Sequence, residues 1–407
     1  MRTSRVLVRG RRTASPSGPA AQAATVVSVG ITRRRRSNGT AMAAATTPAA
    51  AVRTAVRSSG LGVERRRFPG TAGEYRFAVV SGERPFEGRT AAVTGAGGFI
   101  GGAICRRLAA GGAEVRGLDI DPALAGRVSA TGARFVEADV IDPEQLERAL
   151  EGVELVVHAA AFVTEYGRME DFVRVNVGGT ARVLDAAEAA GVERAVHISS
   201  VVVYGYDHPG EQDESAHLRA YGIPYIDTKS ASDRLARHRG AIVVRPGDVY
   251  GPGSVPWVVR PVEMARAGRL AVPGEGDGLM LAVYVDDLVE AVALALERGT
   301  PGEAYTAWRG ERVTFGEYFD RIAEIAGARR PRRLPRGVLR LAGAAVEAWA
   351  ARRGRPPLLT GKAVTFVDRR GTVSNRRARE ELGWEPRVDL DEGLRRTEAW
   401  LRAEGLV

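Results

Sequence analysis

An α/β fold, with a doubly wound parallel sheet and a smaller, mostly helical C-terminal lobe, is predicted by three observations. Strand and helix signals alternate between residues 84 and 250. A glycine-rich loop joins the first strand to the first helix. Beyond Gly251 the alternation gives way to mainly helical patterns.

The elements can be justified in order. "TAAVTG" is a short buried-strand run, and "GGFIGGAICRRLAAGG" places Phe99, Ile100, Ile104 and Leu108 at helical spacing before stopping at Gly111-Gly112. "AEVRGLDI" and "ARFVEADV" are strands, and "DPEQLERALEG" is a helix capped by Asp142 with Pro143 at its first position. "VELVVHAAA", the long helix "MEDFVRVNVGGTARVLDAAEAAG", the strand "VERAVHISS", a helix after Pro224 and the strand "GAIVVRPG" complete residues 84–250. Residues 251–407 hold "VPWVVRPVEMARAG", "LMLAVYVDDLVEAVALALERG", "TFGEYFDRIAEIAG", "GVLRLAGAAVEAWAARRG" and two closing helices. This part is expected to face the substrate, with its late elements returning to the sheet.

Composition excludes several function classes. Of the 407 residues, 44% are hydrophobic and 27% charged, as in soluble globular proteins. The net charge of +10 is unevenly placed. Met1 to Gly73 holds 14 arginines and one acid, Glu64, so that segment carries +13 and the rest −3. A mildly acidic body argues against nucleic-acid binding. The single cysteine, Cys105, excludes an intrachain disulfide and a cysteine zinc site, and five scattered histidines show no metal spacing, so no metal is expected. Residues 1–83 lack any period of 2 or 3.6 and read as a disordered extension. Their Arg-rich, acid-poor composition is also that of an organelle transit peptide, the alternative to a cytoplasmic location. No transmembrane segment is expected.

The loop "TGAGGFIG" sets Gly95, Gly98 and Gly101 in a GxxGxxG spacing between strand and helix. Gly95 allows the turn, Gly98 lets the backbone approach a pyrophosphate, Gly101 permits close packing, and the helix N-terminus offers N–H donors. This is a dinucleotide-binding, Rossmann-type signature. Asp119 ends the second strand, where a carboxylate accepts from ribose hydroxyls and repels a 2′-phosphate. NAD is therefore expected, with Arg116 and Arg127 keeping NADP open.

Lys229 and Lys362 are the only lysines in an arginine-rich chain. In "PYIDTK" Lys229 follows Tyr225 by four residues, on one face of a helix. An ammonium there should lower the phenol's pKa from about 10 and make Tyr225 a general acid/base. "HISSVVVYG" adds Ser199 and Ser200 at a strand's C-terminal end, placed to hold a substrate oxygen.

These motifs, with "ADV", "VVHAAA", "VNVGGT", "VVRPGDVYGPG" and "VYVDDLVEA" in order, resemble an extended short-chain dehydrogenase/reductase of the NAD-dependent epimerase/dehydratase superfamily over residues 88–400. The resemblance implies Tyr225 as acid/base, Lys229 as its activator and ribose ligand, and Ser200 as the catalytic serine with Ser199 in reserve. It implies that Phe99 and Ile100 belong to the cofactor loop, that Asp139 and Val140 meet the adenine, and that Ala159 and Ala160 line the cofactor. Asn176 would support the site and Pro246 would border the nicotinamide. Dehydratases of the superfamily carry an Asp-Glu pair that "SSVVVYG" lacks. "RPGDVYGPG" and the C-terminal region are most similar to the 3β-hydroxysteroid dehydrogenase-like branch.

The expected function is NAD(P)-dependent interconversion of a secondary alcohol and a ketone on a small, apolar molecule. Nucleotide-sugar epimerisation with tightly held NAD is the alternative, and a non-catalytic NAD sensor or scaffold is another. The resemblance also implies a homodimer through the helix bearing Asn176 and the one bearing Tyr225. Val338, Leu339, Leu341, Ala342, Ala345, Val346 and Trp349 form an apolar helical face. It would roof a substrate, touch a membrane surface peripherally, or face the core. Asp286 and Asp287 read as a helix cap and first-turn acid, not a metal pair. Trp257 and Trp308 are open between substrate contact and packing.

Overall fold

A computed structural model of the chain describes residues 84–164, 167–206, 208, 210–352 and 360–407. The expectations placed on residues 1–83 lie outside the described residues. The first half runs β1 (Thr90–Thr94), α1 (Phe99–Ala110), β2 (Glu114–Asp119), α2 (Ala125–Ser129), β3 (Arg134–Glu137), α3 (Pro143–Leu150), β4 (Leu155–His158) and α4 (Met169–Phe172). A π-helical stretch, Val173–Gly179, leads into α5 (Thr180–Ala189), β5 (Arg194–Ile198), β6 (Glu211–Gln212), α6 (Pro224–His238), β7 (Ile242–Pro246) and β8 (Asp248–Tyr250). After a second π-helical stretch, Val255–Val259, come α7 (Arg260–Arg266), β9 (Ala271–Pro273), β10 (Leu279–Met280), β11 (Ala282–Tyr284), α8 (Val285–Arg298), β12 (Ala304–Ala307) and β13 (Val313–Thr314). The chain closes with α9 (Phe315–Ile325), β14 (Arg332–Leu334), α10 (Arg336–Arg352), α11 (Gly361–Val367), β15 (Thr372–Val373), α12 (Arg376–Leu382) and α13 (Leu390–Ala403).

Seven strands form one parallel sheet in the order β12-β7-β5-β4-β1-β2-β3. The period of two along each strand sends alternate residues to opposite faces. Ala91, Val93, Leu155 and Val157 join Ile104 and Leu108 of α1 and Leu288 and Val292 of α8 in one core. Ala92 and Val156 point the other way, onto Leu146 and Leu150 of α3 and Val183 of α5. Both faces are covered, which is why these strands read as unbroken apolar runs.

The order reverses between β1 and β4, and such a switch point opens a crevice at the strands' C-terminal ends. Helix α3 starts as its sequence dictates, with Asp142 accepting from the Gln145 N–H and Pro143 in the first turn. Helix α1 has Gly98 as its N-cap and no side-chain cap, so no side chain covers the first-turn donors at that crevice.

Chain beyond residue 250 returns to the sheet through β12 and α8. Asp286 and Asp287 lie in the first turn of α8, and Tyr284 rather than either acid holds the cap position. The Asp287 carboxylate accepts from the Arg387 and Val388 N–H groups (2.8 and 3.1 Å), and the Trp384 indole donates to its carbonyl. The pair thus ties down the C-terminal segment, and no metal cluster occurs among the described residues. Trp308 is buried and donates to Val373 O (2.7 Å), a packing role. Trp257 joins an aromatic group with Phe315 and Phe366.

One buried ion pair fixes α6 against the sheet. Arg245 of β7 and Asp233 of α6 have side chains of 0% exposure and meet in a two-pronged contact (2.9 and 2.8 Å). The remaining arginine arm donates to the Tyr204 hydroxyl (2.9 Å). A fully satisfied pair is tolerated in the interior, whereas a half-removed one leaves a bare buried charge. Asp233→Ala is therefore expected to lower unfolding free energy by about 3–5 kcal/mol in denaturant titrations.

Candidate active site

The cofactor loop behaves as its spacing demands. Gly95 has φ +69°, and a Cβ there would lie 2.9 Å from the Ala160 N and Cα. A Cβ on Gly101 would lie 2.1 Å from Gly95 O. A Cβ on Gly98 would meet only Gly95 O, at 3.1 Å, so its outer side is open. Uncapped N–H groups beside backbone stripped of side chains suit a pyrophosphate. Phe99 and Ile100 sit in the first turn, half-buried against the core. Ala159 and Ala160 follow β4 across the switch point from Gly95.

Asp119 is half-buried at the end of β2. It accepts from the Gly97 N–H (2.9 Å) and the Asp121 N–H (3.2 Å), which ties the carboxylate to the glycine loop. Burial lifts its pKa above the usual carboxylate value, and these N–H bonds oppose the rise. Arg127 feels the Asp119 charge. Arg116 does not serve the ribose end: it donates to the Ala149 and Glu151 carbonyls at the end of α3. Asp139 turns back on its own chain, accepting from the Ile141 N–H (3.1 Å), while Val140 is buried against Gly179.

Ser200 caps the 3-10 turn Val201–Tyr204 that follows β5, accepting from the Val202 N–H (3.3 Å). Its side chain is also near enough to the Tyr225 hydroxyl to pull that group's pKa down. Ser199, one residue earlier, has a buried hydroxyl with no partner among the described residues. Of the two serines, Ser200 is the one whose side chain bears on the Tyr225 pKa. Pro246 ends β7 beside Ala307 of β12.

Lys229 lies one turn after Tyr225 on α6, buried, with Nζ donating to the Ile198 carbonyl (2.7 Å) at the end of β5. Burial lowers its pKa to about 8, against a raising pull from Asp233. Burial pushes the Tyr225 phenol up to about 12, and the nearby Ser200 side chain opposes the rise. An ammonium spent on a carbonyl does not offset the phenol's desolvation.

Asn176 sits in the π-helical stretch, where the widened turn displaces it from regular α register. Its amide grips Phe162 at both ends, accepting from N–H (2.6 Å) and donating to O (3.2 Å), and donates to Thr228 Oγ1 (3.1 Å). Thr228 in turn donates to Pro224 O at the start of α6. Asn176 therefore couples the loop after β4 to the helix bearing Tyr225.

Sequence reading missed a second buried chain. Thr180 Oγ1 donates to Asn176 O (2.6 Å), so it accepts from His158 Nε2 (3.0 Å). That leaves His158 Nδ1 to accept from Thr94 Oγ1 (2.8 Å), which itself accepts from the Ala160 N–H (3.1 Å). The pattern fixes the imidazole as neutral with its proton on Nε2. Burial first, then the Lys229 charge, lower the His158 pKa to about 3. His197 stacks beside it at 5.3 Å and is likewise held neutral by burial and Lys229. Nothing in a lone "VVH" or "AVH" announces this network. Asp233 was more legible: with Tyr225 and Lys229 it makes an i, i+4, i+8 row on α6.

The glycine loop at the switch point and the serine–tyrosine contact beyond β5 define a nucleotide-binding, short-chain-dehydrogenase-like class. The chain belongs to the NAD dependent epimerase/dehydratase family, whose model matches residues 91–307. It is 30% identical over 325 residues to 2-alkyl-3-oxoalkanoate reductase of Stenotrophomonas maltophilia, covering 75% of this chain and 98% of the relative. A 3beta-hydroxysteroid-dehydrogenase/decarboxylase (isoform 1) of Arabidopsis thaliana is 29% identical over 288 residues, covering 65% of this chain and 66% of the relative. DesIV, a dTDP-glucose 4,6-dehydratase from Streptomyces venezuelae solved with NAD and TYD bound, superposes with TM-score 0.63. It is 30% identical, over 77% of this chain and 97% of that one. NAD is the family's cofactor, as the loop and Asp119 indicate.

Lys229 yields a pH signature. Its folded pKa of about 8 lies below the unfolded value of 10.5, so the unfolded chain holds more protons between the two. The penalty of burying the ammonium is constant below about pH 8 and is relieved as pH rises towards 10.5. Relative to Lys229→Met, the parent should gain roughly 2–3 kcal/mol of stability across that window. Denaturant unfolding at several pH values, compared between the two proteins, measures it.

Proposed function

We propose that this protein interconverts a secondary alcohol and a ketone on an apolar substrate, using NAD. The observation that carries the reading is the placement of Ser200 just past the carboxyl end of β5 and of Tyr225 and Lys229 one turn apart on α6, with Lys229 Nζ donating to Ile198 O two residues before Ser200. Gly95, Gly98 and Gly101 with the α1 N-terminus would hold the pyrophosphate, Asp119 the adenosine ribose, Asp139 and Val140 the adenine, and Ala159, Ala160 and Pro246 the remaining walls. When bound, the cofactor supplies a hydride acceptor or donor.

In the oxidising direction Tyr225 takes the substrate hydroxyl proton while Ser200 holds the same oxygen. In the reducing direction Tyr225 returns that proton to the ketone oxygen. The phenol, pushed up by burial, is protonated at neutral pH, the form that ketone reduction uses. Lys229, mostly protonated at pH 7, uses one N–H on Ile198 O and keeps two, enough to reach a ribose hydroxyl. Asn176 holds the geometry by bracing Phe162 against α6.

The apolar substrate class is supported by the names of the first two relatives. It is also supported by the rings of Tyr206, Phe366, Trp257 and Phe315, which follow one another at 5.0 to 5.7 Å just past the serine turn. On this reading residues 84–250 hold the cofactor and 251–407 mainly enclose the substrate. Exposed Met169 and Val173, at the start of the Asn176 helix, support a homodimer through that helix and α6.

The test is a panel of long-chain β-keto acids, hydroxysteroids and nucleotide sugars, followed by NADH absorbance. Tyr225→Phe should lower turnover on the accepted substrate by about 10²–10⁴-fold while NAD still binds. A nucleotide sugar interconverted without net NADH would replace this reading with epimerisation. Unchanged turnover in Tyr225→Phe would remove the mechanism. Asp119→Ser should raise the NADP-to-NAD ratio of kcat/KM by about 10–100-fold, the worth of one charged hydrogen bond and a relieved repulsion.

A further inference from the structure

Helix α10 presents three distinct faces. Leu339 and Ala350 are buried, and Gly343 packs so closely that a Cβ would lie 2.8 Å from Gly361 N of α11. On a second face Arg336 pairs with Asp368 and Asp277, and Arg340 reaches Asp368. The third face carries Val338, Leu341, Ala342, Ala345 and Trp349, all exposed. Their i, i+3, i+4, i+7, i+11 spacing makes one straight stripe. Val338 is 55%, Leu341 73% and Trp349 49% exposed. Of the seven large apolar side chains left exposed among the described residues, these are three. The sequence-level alternative of a core-facing helix therefore applies to Leu339 but not to the stripe.

The segment that carries the stripe is rich in arginine. Residues 328–352 contain seven arginines and a single acid, Glu347. Arg333, Arg336 and Arg340 are engaged by Asp320, Asp277 and Asp368. Arg329, Arg330 and Arg332 at the N-terminal end and Arg352 at the C-terminal end are exposed, and none has a carboxylate partner among the described residues. No described helix is long and apolar enough to cross a membrane.

We propose that α10 lies on an anionic lipid surface, with Val338, Leu341 and Trp349 dipping into the interface and the arginines at its ends on lipid phosphates. A narrow apolar stripe flanked by arginines suits the boundary between acyl chains and headgroups. Trp349 fits that depth because its ring is apolar and its N–H polar. Arginine stems lie along the apolar layer while their heads stay at phosphate level. The inference does not rest on the hydride-transfer reading.

The experiment is cosedimentation of the full chain with vesicles of equimolar phosphatidylcholine and phosphatidylglycerol, and with phosphatidylcholine alone. The expected result is binding to the mixed vesicles, weakened by salt, with a blue shift in emission that Trp349→Phe removes. Leu341→Asp and Val338→Asp should each weaken the partition by about tenfold, because a carboxylate is repelled and its methyl groups no longer insert. Circular dichroism and NAD binding should be unchanged, as both positions are exposed. Three results would overturn the proposal. The parent fails to bind either vesicle. Both variants bind like the parent, which assigns the affinity to the arginine-rich first 73 residues. The parent self-associates without lipid and Leu341→Asp abolishes that, which makes the stripe a contact between copies.

Discussion

The site depends on a helix being held at one height against a sheet. Tyr225 and Lys229 are useful only if α6 keeps its register over the ends of β5 and β7, and the Asp233–Arg245 pair sets that register. A guanidinium fork meeting both carboxylate oxygens tolerates little sliding, because a displacement of an ångström breaks two charged bonds in a dry interior. The third arm, on Tyr204, carries the constraint into the turn that begins at Ser200. One ion pair thus positions the tyrosine, the lysine and the serine together. Apolar packing alone would fix the helix less sharply, since it is non-directional.

The same interior creates an electrostatic problem around Lys229. Two imidazoles, His158 and His197, lie close enough for its charge to depress both, and burial alone already disfavours their protonated forms. Keeping them neutral spares the lysine from like-charge repulsion. The Thr94–His158–Thr180 chain enforces this, since every polar atom in it has a defined donor or acceptor. It also joins the end of β1, the Ala160 backbone and the Asn176 carbonyl into one unit. Lys229 is then left with a single opposing charge nearby, Asp233, which is already neutralised by Arg245.

The alternation of strand and helix, the α3 cap at Asp142, the glycine loop and the Tyr225–Lys229 row were all legible, because each follows from local spacing. What sequence could not supply was the direction in which polar groups point across the fold. Arg116 looked available to a phosphate but caps the end of α3, a contact between residues 33 and 35 positions apart. The bond from Lys229 to Ile198 O and the burial that raises the Tyr225 pKa were likewise hidden, since helix spacing gives proximity but not the desolvation that sets a pKa. The stripe on α10 was visible as an apolar row. Its exposure was not, because Leu339 and Leu341 look alike in sequence and lie on different sides of the helix.

Why a chain so poor in lysine keeps one at position 229 follows from what buried arginines require here. Arg245 needs both oxygens of Asp233 and a phenol to be satisfied, and Arg369 needs Asp248, Leu279 O and the ring of Phe366. Each is held by several fixed partners at once. A guanidinium at 229 would face one carbonyl, Ile198 O, and would leave buried N–H groups unpaired. An ammonium there has three donors to place instead of five, and one goes to that carbonyl. It is also the one permanent-looking cation whose pKa burial can bring near neutrality, which arginine does not permit. Compositional drift towards arginine is therefore tolerated at positions where a fork can be enclosed, and is stopped where a compact donor must remain partly unspent.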